Sequence, residues 1–325
     1  MSIRLRQPFF SFLPPDVRVF ASLHSALMGL PSRRGRVRDL RGRKVFLTGA
    51  ASGIGRAVAL RAGRLGAVLH LTDIRADALA RVVTEIETTG GTVAFAEAVD
   101  VADHDAVGRL GQRLTGGHGA MDVVMNIAGI SIWGTVRSLE HHQWRRLVDV
   151  NLMGPIHVIE ALVPPMIDSG RGGQLVNVAS AAGIIGMPWH AAYSASKFGV
   201  RGVSEVLRFD LRRHGIGVSL VCPGAVATPL TDTIDVAGVD KHSRAFQRAQ
   251  AAFRKHAVTP DQAAVAILDG MRRGRYWIYT STDIRLAHAL QRHLPFAYVG
   301  LMRLMNWGAN KALPAVAEAR QADAA

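Results

Sequence analysis

The tightest constraint on the fold is the succession that runs through Val45-Phe46-Leu47 and the glycines behind it. Those three residues are a short apolar run that reads as a buried strand. Thr48-Gly49-Ala50-Ala51-Ser52-Gly53-Ile54-Gly55 follows at once. Ile54, Val58, Arg61, Ala62 and Leu65 then recur at the three- and four-residue steps of a helix. Strand, glycine turn and helix in succession aim backbone N–H groups and a helix N-terminus at one spot, which suits a pyrophosphate. The glycines let the backbone approach such a group with no Cβ in the way. The spacing is T-G-x-x-x-G-x-G and not the more familiar G-x-G-x-x-G, so the context of strand and helix carries the dinucleotide reading.

The next apolar run, Ala67 to Thr72, ends at Asp73. A carboxylate at the end of a second strand accepts hydrogen bonds from ribose hydroxyls and repels a 2′-phosphate, which favours NAD over NADP. Asp73 could equally cap the helix predicted from Ala76 to Thr89. Arg75 pulls the other way, because an arginine there can receive a 2′-phosphate.

The same unit recurs along the chain. Thr92 to Val99 reads as a strand ending at Asp100-Val101, with Asp103 capping the next helix. Met121 to Met125 runs into Asn126-Ile127-Ala128-Gly129, and Gln174 to Ala179 ends at Ser180. Val218 to Val221 leads into Cys222-Pro223-Gly224, and Tyr276 to Thr280 reads as a last strand. A helix from about Glu140 to Ile167 carries Asn151 mid-way, and Pro164-Pro165 is expected to bend its end. Asn is a weak helix former, so Asn151 is either a solvent-facing accident or a functional requirement. Strands alternating with helices predict an α/β fold, a doubly wound parallel sheet covered on both faces. Gly49, Asp73, Asp100, Asn126, Ser180 and Pro223 all fall at carboxyl ends of strands, where such sheets bind ligands.

Tyr193-Ser194-Ala195-Ser196-Lys197 places a tyrosine and a lysine one helical turn apart on one face. Free tyrosine has a pKa of about 10. A lysine ammonium held close favours the phenolate and lowers that value. Such a pair moves a proton to or from an alcohol near neutrality.

Together these residues resemble the short-chain dehydrogenase/reductase family over about residues 41 to 280. The resemblance rests on Thr48-Gly49-x-x-x-Gly53-x-Gly55, Asp100, Asn126-Ile127-Ala128-Gly129, Asn151, Ser180, Tyr193-x-x-x-Lys197 and Pro223-Gly224-x-Val226-x-Thr228. The family usually has Asn where Ile127 stands, which predicts a local packing change. The resemblance implies a Rossmann-type domain and hydride transfer between a substrate carbon and a nicotinamide. It makes Tyr193 the general acid/base and gives Lys197 two roles, lowering the tyrosine pKa and hydrogen-bonding the nicotinamide ribose. Ser180 would hold the substrate oxygen, and Asn151 would hold a water that links Lys197 to solvent. The cofactor would also touch Thr48, Gly49, Ser52, Gly53, Ile54, Gly55, Asp73, Ile74, Asp100, Val101, Asn126, Ala128, Gly129, Pro223, Gly224, Val226 and Thr228. It also implies a homodimer or homotetramer, packed through the helices of Asn151 and Tyr193. His190 is read as structural or substrate-facing. No Cys/His cluster has metal-ligand spacing, and no metal is expected.

The expected layout is a basic, apolar extension over 1–40, a catalytic domain over 41–282 with a lid at about 228–258, and an apolar helical extension over 283–325. The lid's Leu230, Ile234, Val236, Val239, Phe246 and Phe253 suggest a lipophilic alcohol or ketone as substrate. Two readings of the first extension stay open: an arm for an anionic membrane surface, or a tail clamped on the domain. The last extension would pack on a neighbouring subunit, close the substrate site or lie in a membrane interface.

Composition settles the remaining classes. The formal charge is +14, but residues 1 to 44 hold nine arginines and one lysine against Asp16 and Asp39, a net of +8. Charge confined to one arm argues against a nucleic-acid binder. The single Cys222 fits a reducing cytoplasm. Pro14-Pro15-Asp16 interrupts the first apolar run, so a secretory signal is not expected. A regulatory protein that kept the fold without the chemistry is expected to have lost the Tyr193–Lys197 pair, which is present here.

Overall fold

The computed structural model describes residues 37–228, 235–236, 243–244, 246–248, 251, 257–312 and 316. Nearly all of the arm over 1–40 and most of the expected lid therefore lie outside the described residues. The strands are β1 (Lys44–Thr48), β2 (Val68–Asp73), β3 (Thr92–Ala98), β4 (Val123–Asn126), β5 (Ile132–Trp133), β6 (Gly173–Val178), β7 (Ile216–Cys222), β8 (Asp235–Val236) and β9 (Trp277–Tyr279). The helices are α1 (Gly53–Arg64), α2 (Ala76–Thr88), α3 (His104–His118), α4 (His141–Val148), α5 (Gly154–Asp168), α6 (Ala191–Asp210), α7 (Pro260–Arg272), α8 (Thr282–His293) and α9 (Pro295–Ala312).

Seven strands form one parallel sheet in the order β3-β2-β1-β4-β6-β7-β9. The order reverses between β1 and β4, where a crevice opens at the carboxyl ends. Strand alternation sends neighbouring side chains to opposite faces. Val45 and Leu47 pack with Val58 of α1, Leu79 of α2 and Ile267 of α7, whereas Phe46 packs with Leu110 of α3 and Leu162 of α5. Fully burying each such side chain stabilises the fold by about 1.5–3 kcal/mol. Val37 and Leu40 are already buried in the first of these cores.

Two local signals foretell their elements. Asp103 accepts from Ala106 N at 2.9 Å and caps α3. Thr259 and Gln262 form a capping box before α7. Helix α5 continues through Pro164 and Pro165 to Asp168, so those prolines do not end it. Between α4 and α5 the residues Asp149–Met153 form one π-helical turn, which contains Asn151. The run from His141 to Asp168 is long enough, and over its best 18 residues apolar enough (mean hydropathy 1.3), to cross a membrane. Here it packs inside the fold, α5 against α3 and α4 against α6.

Candidate active site

A cavity of about 1550 Å³ lies over the carboxyl ends of β1, β2, β4, β6 and β7. One end is the glycine turn. Gly49 and Gly53 have φ of 70° and 51°, a region that penalises any Cβ. A Cβ built on Gly55 would stand 2.0 Å from Gly49 O, so the turn closes only on glycine. Ser52, the N-cap of α1, makes no side-chain cap, and the helix has no acid in its first turn. Its positive end therefore faces the cavity without a competing carboxylate. These features fit the pyrophosphate of a dinucleotide.

Gly49, Ser52, Gly53, Ile54, Gly55, Asp73, Ile74, Asp100, Val101, Ala128, Gly129, Ser180, Tyr193, Lys197, Pro223, Gly224, Val226 and Thr228, all candidates from the sequence, line this cavity. Thr48, Asn126 and Asn151 do not. The Thr48 hydroxyl accepts from Ile127 N and Ala128 N, both at 3.0 Å, and so pins the loop after β4 from below. Asn126 donates to Asn177 Oδ1 at 2.9 Å. Both are buried struts that shape the cavity wall. Ile127, at the unusual position, packs against the core beside α1 and α2.

Asp73 is 8% exposed and heavily engaged. Its Oδ2 accepts from Ala51 N at 2.9 Å, and its Oδ1 accepts from Arg75 N at 3.1 Å. The Arg75 Nε lies 3.4 Å from the same Oδ1. The carboxylate therefore braces the glycine turn as well as facing the cavity.

The Tyr193 cluster sits on the cavity wall at the other side of the switch point. Tyr193 and Lys197 are buried on α6. Lys197 Nζ donates to Val178 O at 3.2 Å and stands 5.8 Å from the Tyr193 ring centroid. Burial pushes the Lys197 pKa down to about 8. Burial also raises the Tyr193 pKa above 10, and a hydrogen bond with Ser180 offsets this in part. Desolvation of the ring is thus the dominant influence on the phenol in this arrangement. Ser180 Oγ accepts from Ala182 N at 3.1 Å, which holds it at the end of β6.

Asn151 is fully buried in its π turn. Its Oδ1 accepts from Ile130 N at 2.9 Å, and its Nδ2 donates to Ile130 O at 3.0 Å and to Ser196 Oγ at 3.2 Å. Ser196 in turn donates to Tyr193 O at 2.7 Å. A Cβ on Gly129 would lie 3.0 Å from Asn151 Oδ1 and 3.3 Å from Lys197 Nζ, so both groups converge on that bare backbone. π turns recur at functional sites, and here one presents a buried amide toward the lysine.

Of the remaining wall, only His190 stands out in the sequence. Trp133, Ile185, Met187, Trp189 and His190 supply an apolar, aromatic end. Trp189 has φ of 63°, a strained value for a bulky residue beside a site. Burial pushes the His190 pKa down to about 4, so it is neutral at pH 7. Leu301, Met302, Met305 and Ala309 of α9 close the cavity from above. A strained Trp and a roof from a distant helix leave no motif.

Residues 43–237 match the model of the short chain dehydrogenase family. The chain belongs to that family. Short-chain dehydrogenases of this kind are NAD(P)-dependent oxidoreductases acting on CH–OH groups. It is 33% identical over 278 residues to SadH of Mycobacterium tuberculosis, named as an oxidoreductase, across 84% of this chain and 97% of that one. It is 34% identical over 239 residues to the 1-deoxy-11-beta-hydroxypentalenate dehydrogenase of Streptomyces avermitilis, across 73% and 84%. A crystal structure of a short chain dehydrogenase/reductase from Burkholderia phymatum in complex with NAD superposes with a TM-score of 0.70 at 28% identity, across 78% and 95%. Another solved relative, 31% identical, is in complex with NADP.

Proposed function

We propose that this dehydrogenase moves hydride between NAD(H) and a lipophilic secondary alcohol or its ketone, with Tyr193 working on the substrate oxygen. The observation that carries the reading is the placement of Tyr193, Ser180 and Lys197 on one wall, between a glycine turn and an apolar end. The nicotinamide supplies or accepts the hydride when bound. Gly49, Ser52, Gly53 and Gly55 would hold its pyrophosphate, and Asp73 its adenosine ribose. Tyr193, kept protonated by burial, suits donation to a carbonyl oxygen as charge develops there. Ser180 shares that oxygen and stabilises the charge. Below about pH 8 Lys197 is an ammonium, and it stabilises the phenolate once the proton has left.

NAD is favoured because Asp73 is a buried carboxylate at the end of β2, where a 2′-phosphate would meet like charge. Arg75 supports an NADP reading, since its half-exposed guanidinium lies beside that carboxylate. An apolar substrate is favoured by Trp133, Ile185, Met187, Trp189 and the four residues of α9. The relative named for 1-deoxy-11-beta-hydroxypentalenate accords with that class.

A panel of secondary alcohols and ketones, run with NAD(H) and NADP(H), tests the proposal. Cyclic and long-chain members with NAD(H) are expected to give the highest kcat/KM. Turnover confined to small polar substrates would overturn the substrate class, and a higher kcat/KM with NADP(H) would overturn the cofactor.

A further inference from the structure

Helix α9 is apolar on two opposite sides. Its inner side lines the cavity through Leu301, Met302, Met305 and Ala309. It is fastened there by Tyr298 Oη, which accepts from Gly186 N at 2.8 Å, and by Asn310 Oδ1, which accepts from Trp189 Nε1 at 3.2 Å. On its outer side Phe296, Leu304 and Trp307 are 92%, 62% and 62% exposed. Steps of eight and three residues bring these three onto one stripe. Arg303 and Lys311 edge the same stripe, and Lys311 Nζ stands 5.1 Å from the Trp307 ring centroid. Leu286 and Leu294 are exposed as well, with the exposed Arg285 and Arg292 near them in the sequence.

A helix apolar on two opposite sides needs cover on both. The charge pattern selects the cover. From Ile284 to Lys311 the chain carries four Lys and Arg residues and no Asp or Glu. A second copy docked on this face would bring cation against cation with no carboxylate to pair them. An anionic bilayer supplies both partners: an apolar boundary for Phe296, Leu304 and Trp307, and headgroups for the cations on their flexible stems. Tryptophan at the polar–apolar boundary fits the same geometry.

We propose that α9 seats the protein on the surface of an anionic lipid bilayer through Phe296, Leu304 and Trp307, while its inner side roofs the cavity. The cavity then lies directly beneath a lipid-contacting helix. That suits a substrate dissolved in the bilayer, a point that rests on the apolar-substrate reading. The lipid seating itself does not rest on it.

Flotation of the full chain with phosphatidylcholine vesicles, with and without phosphatidylglycerol, tests this. The wild type is expected to float with phosphatidylglycerol at low salt. The triple variant Phe296→Ser, Leu304→Ser, Trp307→Ser is expected to bind about tenfold or more weakly. Its melting temperature and NADH affinity should stay at wild-type values, which separates lost seating from lost folding. Brominated lipid should quench tryptophan emission in the wild type and not in Trp307→Phe. Three results would overturn the proposal: no flotation of the wild type, equal flotation of the triple variant, or a wild-type dimer that the triple variant converts to monomer. Equal flotation would assign lipid binding to the basic stretch before residue 45.

Discussion

The two ends of the cavity are built in different ways. At the glycine-turn end, backbone meets backbone: Gly55 packs on Gly49 O, and Thr48 and Asp73 accept from main-chain N–H groups. Those contacts demand particular residues at particular spacings. At the aromatic end, Trp133, the stretch from Ile185 to His190, and α9 meet from distant parts of the chain through side-chain packing. Packing accepts many residue combinations of similar volume. The cofactor end should therefore break sharply under substitution, and the substrate end should yield by degrees.

The largest effect is expected at Gly55. Gly55→Val puts a Cβ 2.0 Å from Gly49 O. NADH binding, followed by fluorescence titration, should become unmeasurable, and the melting temperature should fall. Binding within tenfold of wild type would erase the contrast. Asp73→Ser comes next. It removes the carboxylate on which the proposed preference for NAD rests, and the ratio of NAD to NADP affinity should fall by about tenfold or more. An unchanged ratio would assign cofactor choice to another residue. At the roof, Met302→Ala should raise KM for bulky apolar alcohols by roughly tenfold or less, since it opens the wall without touching the reacting atoms. NADH affinity should not move; a shift there would mean that the two ends are coupled.

The smallest effect is far from the site. His70 is buried on β2 with neither ring nitrogen hydrogen-bonded, and burial holds its pKa near 4. The ordinary value is about 6.5. Between those values the unfolded chain takes up a proton that the folded chain refuses, so stability falls as pH drops from about 6.5 toward 4. Above that window the group contributes no pH dependence. His70→Leu should therefore raise the melting temperature at pH 5 relative to wild type more than it does at pH 7. An equal difference at both pH values would contradict the assignment.

The same contrast explains what was legible in the sequence. The glycine turn, the order of strands and helices, Ser180 and the Tyr193–Lys197 pair follow from spacing, because backbone approach and helical facing depend on it. Asn151 was visible as a poor helix former in mid-helix, and the π turn is the structural form of that misfit. Thr48 and Asn126 show the limit: motif order placed them at the site, yet their side chains point into the wall. The phenol's raised pKa depends on burial, which a four-residue spacing does not encode. The roof was legible only as one of three alternatives for the last extension, since nothing near Tyr193 in the chain announces that Met302 and Met305 will lie over the same cavity.

The central claim is that Tyr193 passes the proton while the glycine-turn end holds the cofactor independently. Single-turnover kinetics of Tyr193→Phe with NAD(H) and a hydrophobic alcohol or ketone, alongside NADH titration, test it most directly. The account predicts NADH affinity close to wild type and a hydride-transfer rate lower by about 10²–10⁴. A near-normal rate would contradict it.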